Sequence, residues 1–213
     1  MSADEVKHAG INLGAADEDT HEKAGPDVFG FWVFLMSDAV IFALLFATYG
    51  VMLAGTAGGP TPAHEYKIGP AFIETLILLT SSLTFGMASV AMKHGGERPG
   101  SGHRALLGWM AVTLALGLAF LGLELHDFVT MVSEGAVPSG SGYLSSFFAL
   151  VPLHGLHVAA GCLWLVVMMV QVPLFDLDER VKVNLLRLGL FWHFLDIVWI
   201  AIFSAVYLQG LIR

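Results

Sequence analysis

The sequence predicts an all-α polytopic membrane protein, a bundle of five transmembrane helices, and three observations carry that reading. Charged residues make up 13% of the 213 and hydrophobic residues 56%, with a mean hydropathy of +0.73; a soluble domain carries about a quarter charged residues. Five apolar stretches are each long enough to cross a bilayer core, which takes about 20 helical residues. The alternating segments of about 10 residues that mark a membrane barrel are absent. This composition excludes a disordered chain and an ordinary cytosolic enzyme. The net charge of -8 argues against a nucleic-acid binder as well. Cys162 is the single cysteine, which rules out an intrachain disulfide or a cysteine metal cluster.

Taken in order, residues 1–28 are unlike the rest. Asp4, Glu5, Asp17, Glu18, Asp19, Glu22 and Asp27 stand against Lys7 and Lys23, without an apolar run. A basic start followed by an apolar stretch, as a signal peptide requires, is missing, so this segment reads as a solvated, flexible cytoplasmic tail. The transmembrane domain then occupies residues 29–213, with spans expected at 29–54, 70–93, 104–133, 143–171 and 183–211. Breaks containing Gly, Pro or charged residues separate them at 55–69, 94–103, 134–142 and 172–182.

Basic residues set the orientation of such a bundle. Lys93, Arg98 and Arg104 flank the second connection; Arg180, Lys182 and Arg187 flank the fourth; Lys7 and Lys23 lie in the tail. The opposite face has Lys67 and Arg213 alone. The expectation is a cytoplasmic N-terminus and a periplasmic C-terminus in a bacterial inner membrane. Small residues recur every four positions at Ala111, Ala115 and Ala119, at Ser82 and Gly86, and at Gly155 and Ala159. Such ladders allow close helix approach in lipid, and these are expected to mark where the helices meet. No internal duplication of the kind found in inverted-repeat transporters is evident.

The informative residues are the ionisable ones at membrane depth: Asp38, Glu74, Glu124, His154, His157, His193 and Asp196. An acid at a helix centre costs on the order of 2.5–3.5 kcal/mol on insertion scales, so such groups face protein or water. At 1.5 Å per residue, His154, His157, His193 and Asp196 fall near mid-bilayer, and Glu74 and Glu124 in the outer half. His154/His157 and His193/Asp196 are i, i+3 pairs, each expected to share a helix face. Histidines on facing helices can ligate haem, and Glu-x-x-His pairs hold di-iron centres in bundles. Here Glu124-Leu125-His126 has the wrong spacing and no Glu-x-x-His occurs within the spans, so no metal site is assigned. Interhelical hydrogen bonds are the simpler role for all seven. Trp32, Trp192 and Trp199 read as packing aromatics in preference to interfacial ones, Met36, Met52, Met87, Met110 and Met131 as gap fillers, and Cys162 as a buried small hydrophobe.

Read together, these residues have a familiar arrangement. Phe29-Gly30-Phe31-Trp32 leading to Met36-Ser37-Asp38 resembles the opening of subunit III of haem–copper respiratory oxidases. Glu74-Thr75 with Ser81-Ser82, Gly122-Leu123-Glu124, His154-Gly155-Leu156-His157 and Phe191-Trp192-His193-Phe194-Leu195-Asp196, then Trp199, continue the resemblance in order. It covers roughly residues 28–211. The loop Gly55-Thr56-Ala57-Gly58-Gly59-Pro60-Thr61 most resembles the cytochrome bo-type ubiquinol oxidase branch.

The resemblance implies a non-catalytic subunit III of a proton-pumping terminal ubiquinol oxidase, which oxidises quinol and reduces oxygen to water in aerobic respiration. It implies that this chain binds no cofactor, that haems and copper belong to subunit I, and that subunit I is the main contact beside other oxidase subunits. It further implies support of assembly, stability and sustained proton uptake, and structural phospholipids in a cleft. Asp38, Glu74, Glu124, His154, His157, His193 and Asp196 are then buried structural or lipid-cleft groups, none catalytic and none a metal ligand. Some bacterial cytochrome c oxidases also have a five-span third subunit, which makes that the alternative. From other classes, a proton-coupled transporter would use Glu74, Glu124 and Asp196, and a haem or di-iron enzyme His154, His157 and His193.

Overall fold

The computed structural model describes residues 18–53, 55, 68–94, 101–133, 135, 137–175 and 177–208. Five long helices follow one another: α1 Glu18–Met52, α2 Ile68–His94, α3 Ser101–Ser133, α4 Gly142–Phe175 and α5 Glu179–Ile202. A 3₁₀ turn, Pro138–Gly140, precedes α4, and a π turn, Phe203–Leu208, extends α5. Among the described residues there is no strand. Each helix contains a stretch long and apolar enough to cross a membrane: Val28–Met52, Gly69–Met92, Arg104–Ser133, Gly142–Phe175 and Arg180–Leu208. The chain is a multi-pass membrane protein.

The expected spans and the observed helices agree closely in the middle and differ at the ends. Helix α1 begins at Glu18, well before residue 29, and runs through Pro26. Residues 1–17, most of loop 55–61 and residues 209–213 lie outside the described residues. Helix α4 passes Gln171 and includes Pro173 before ending at Phe175. It also contains Pro152, whose missing N–H leaves the carbonyl four residues back without its helical donor.

Local chemistry accounts for the α3–α4 corner. Gly135 has φ +93, a conformation that side-chain-bearing residues rarely take, and its N–H donates to the carbonyl of Val132 at 3.1 Å to close α3. The Ser141 hydroxyl then caps α4 by accepting from the N–H of Leu144 at 3.1 Å. Tyr143 N–H donates to the Gly55 carbonyl at 3.4 Å, so the start of α4 meets the end of α1.

Helices α2, α3, α4 and α5 pack in a closed ring, each against the next and α5 back against α2. Helix α1 lies outside this ring, against α4 and α5. Inside, Phe85, Phe120, Phe147, Trp192 and Trp199 form a core with Leu78, Met110, Leu150 and Leu188. Close helix approach occurs at glycines. A Cβ on Gly117 would lie 2.9 Å from Cys162 Sγ and 3.0 Å from Trp192 Cη2. One on Gly161 would meet Trp192 at 3.2 Å.

The ladder Ala111, Ala115 and Ala119 does not mark a contact within the chain: all three are exposed. The contact side of α3 is instead the one with Met110, Thr113, Gly117, Phe120 and Glu124, all buried. Spacing identifies a stripe, but only the neighbour decides which stripe is covered. Trp32 also departs from expectation. It is 47% exposed, whereas Trp192 and Trp199 are buried. Of the methionines read as gap fillers, Met110 is buried while Met36, Met52 and Met87 are exposed. Cys162 is buried.

Candidate functional site

The seven intramembrane groups do not converge on one centre. They divide among four places, each built by a different set of helices.

At the α1–α4 contact, Asp38 is buried and its Oδ2 lies 3.1 Å from His157 Nε2. His157 Nδ1 lies 2.7 Å from the carbonyl of Leu153. A carbonyl can only accept, so Nδ1 carries the proton and donates. Nε2 is therefore the nitrogen presented to the carboxyl, in contact with it but without hydrogen-bond geometry. Phe42 packs beside the pair, 5.3 Å from the His157 ring.

At the centre of the ring, His154 is fully buried. Its Nε2–H donates to the carbonyl of Leu195 on α5 at 3.2 Å, and Nδ1 has no hydrogen bond. The imidazole lies 5.1 Å from the Trp199 ring and 5.8 Å, edge-on, from Phe120. Trp199 Nε1–H in turn donates to Thr75 Oγ1 at 3.0 Å, joining α5 to α2. His154 and His157 therefore leave α4 towards different neighbours, one to α5 and one to α1. The i, i+3 spacing placed them on a common side, but two separate grooves flank that side.

Towards the ends shared by the start of α2 and the finish of α3, Glu74 and Glu124 are both buried, each with Oε1 lacking a hydrogen bond. Glu124 presses directly on α4: a Cβ on Gly155 would lie 2.5 Å from its Oε2. Gly155 is thus the notch that admits the carboxyl. His154 does not hydrogen-bond to either acid; its ring donor goes to Leu195.

On the α2–α5 seam, Ser82 Oγ lies 2.7 Å from His193 Nδ1, and Asp196 Oδ2 lies 3.7 Å from that nitrogen. Here the expected i, i+3 pair does share a face. Asp196 is buried, but His193 is 49% exposed in its side chain.

Sequence reasoning missed the hydroxyls that hold the ring closed. Ser81 Oγ accepts from Trp192 Nε1–H at 3.0 Å. Thr84 and Thr113 pair at 2.8 Å across α2 and α3. The available signal was the run of Thr75, Ser81, Ser82 and Thr84 in mid-span, each of which also bonds a backbone carbonyl of its own helix or a ring on α5. Among the described residues, no three His, Cys, Asp or Glu side chains come together in an arrangement that could hold a metal ion.

A bundle of five helices of membrane-spanning length joined by polar interhelical contacts defines a polytopic integral membrane protein. The chain belongs to the cytochrome c oxidase subunit III family, whose model matches residues 18–211. It is 44% identical over 198 residues to the cytochrome bo(3) ubiquinol oxidase subunit 3 of Pseudomonas aeruginosa, covering 93% of this chain and 92% of that one. It is 38% identical over 200 residues to the quinol oxidase subunit 3 of Bacillus subtilis, with 94% and 95% covered. It is also 38% identical over 209 residues to the cytochrome c oxidase subunit 3 of Bacillus sp. strain PS3, with 98% of each covered.

Proposed function

We propose that this chain is subunit III of a bo-type haem–copper ubiquinol oxidase, a complex that oxidises quinol and reduces oxygen to water. The observation that carries this reading is the 44% identity across nearly the whole chain to a relative named as subunit 3 of a cytochrome bo(3) ubiquinol oxidase. In the complex the chain is non-catalytic, and the haems and copper belong to subunit I, its main contact. The arrangement of the histidines supports this: His154 faces α5, His157 faces α1 and His193 faces α2, and among the described residues no three His, Cys, Asp or Glu side chains come together as a metal site would require. The seven polar groups are structural, joining helices where lipid gives no drive for association.

The chain resides in a bacterial inner membrane with its N-terminus cytoplasmic. Eight of the ten basic residues on the cytoplasmic side support this. A reporter fused after Arg213 is expected to be active only outside, and one in the 94–103 loop only inside; reversed signals refute the orientation.

Purification of the tagged chain in mild detergent tests the function. The expected result is co-purification with a haem-bearing subunit and quinol oxidase activity. Deletion of the chain is expected to lower assembly or lasting activity while the haem spectrum of the remaining oxidase persists. A complex oxidising cytochrome c but not quinol would move the chain to the cytochrome c branch. A Soret band from the isolated chain would overturn the non-catalytic reading.

A further inference from the structure

The α2–α5 seam carries a polar group where lipid should be. His193 lies thirteen residues beyond Arg180 and fifteen short of Leu208, about 20 and 22 Å from the two ends of its span. Ser82, its partner at 2.7 Å, is similarly central in Gly69–Met92. Yet the His193 side chain is 49% exposed. Its Nδ1 is taken by Ser82 and faces Asp196, and Nε2 has no hydrogen bond among the described residues. Behind it stands Asp196, whose side chain is 7% exposed. Hydrocarbon cannot satisfy an imidazole nitrogen, and ionisable groups at this depth face protein or a water-filled cavity.

The surroundings fit another helix. A Cβ on Gly86, one turn from Ser82, would meet nothing within 4 Å, so a backbone can approach closely there. Leu79 and Leu83 on α2 and Ile197 on α5 are exposed around the polar group, forming an apolar rim. The arrangement is a hydrogen-bonding centre inside an apolar border, open on its outer side.

We infer that the Ser82–His193–Asp196 group is a docking point for a transmembrane helix of another subunit of the same complex, one that presents a hydroxyl, carboxyl, amide or backbone carbonyl to His193 Nε2 at mid-bilayer. This rests on the oxidase reading. A different subunit is favoured over a second copy because the relatives are each named as subunit 3 of an oxidase, so such a complex holds other subunits that can cover this face. The contact positions this chain in the complex and takes no part in the oxidase chemistry.

The test places a photo-reactive amino acid at Ile197, which is 67% exposed and one turn beyond His193, leaving the polar group intact. Irradiation in native membranes is expected to link the chain to a transmembrane segment of another oxidase subunit, identified by mass spectrometry. In parallel, His193→Phe is expected to weaken retention of the chain in the detergent-purified complex roughly three- to twentyfold, the range for one interhelical hydrogen bond in a membrane. His193→Gln, which keeps a hydrogen-bonding end, is expected to recover most of it. If the wild-type chain brings no haem-bearing subunit with it, the oxidase reading falls and this contact with it. If it does, but Ile197 labels only lipid or a second copy of the chain, this contact alone is wrong.

Discussion

The ring of α2–α5 and the outlying α1 are made from the same apolar residues, yet they are held by different means. In the most apolar stretch of α5, 50% of residues are buried; in that of α1, 17% are. The ring is closed by buried hydroxyl–indole bonds, Trp192 to Ser81 and Trp199 to Thr75, and by glycine notches at 117, 155 and 161. Helix α1 is held by the Asp38–His157 pair, by Phe42 against Phe194 at 6.3 Å and by Phe31 against Trp164 at 5.6 Å. Hydropathy treats both regions alike. What differs is the number of neighbours with which each helix can share specific contacts, since lipid is as apolar as a leucine side chain.

The largest expected break is Trp199→Ala. This residue meets Phe120 at 4.7 Å, His154 at 5.1 Å and Thr75 by hydrogen bond. Its truncation is expected to destabilise the chain by about 3–5 kcal/mol, as for aromatic deletions in other cores. Unfolding in mixed micelles by rising denaturing detergent measures it. Trp199→Phe, which keeps a ring and loses the Nε1–H bond, should lose clearly less.

Next is Gly155→Ala, expected to cost about 1–3 kcal/mol by overpacking, because the new Cβ overlaps the Glu124 carboxyl. The same unfolding assay applied to Gly155→Ala combined with Glu124→Ala should recover part of that loss. Equal loss in the single and double variants would show that the notch does not exist to seat Glu124.

Smaller again is Asp38→Leu, which should loosen α1 from α4 by about 0.6–1.7 kcal/mol. Spin labels on α1 and α4 should report a broadened distance distribution, while the α2–α5 distance stays unchanged. Broadening in both would make α1 part of the ring after all. The smallest effect belongs to Ala115→Leu. That position is exposed, so the unfolding of the isolated chain should change by no more than about 0.5 kcal/mol. A loss as large as that of Gly155→Ala would return the alanine stripe to the ring interior.

Much of this was legible beforehand. The helix count and the shared face of His193 and Asp196 follow from residue order alone. The separation of His154 from His157 was not legible, because helix spacing places two residues on one side without saying how many neighbours share it. The alanine stripe was misread for the same reason: closeness every four residues permits contact but does not supply a partner.

The sequence by itself determined that the chain crosses a membrane five times. It did so because a backbone without water must bond within its own helix, and about 20 apolar residues in a row satisfy that condition without reference to anything else. Only the tertiary structure decided which polar group meets which. Glu124 lies against Gly155, Trp199 against Thr75, and Asp38 against His157. Each of these pairs is separated in sequence by at least thirty positions, and in lipid only side-chain shape and hydrogen-bonding capacity choose among possible neighbours.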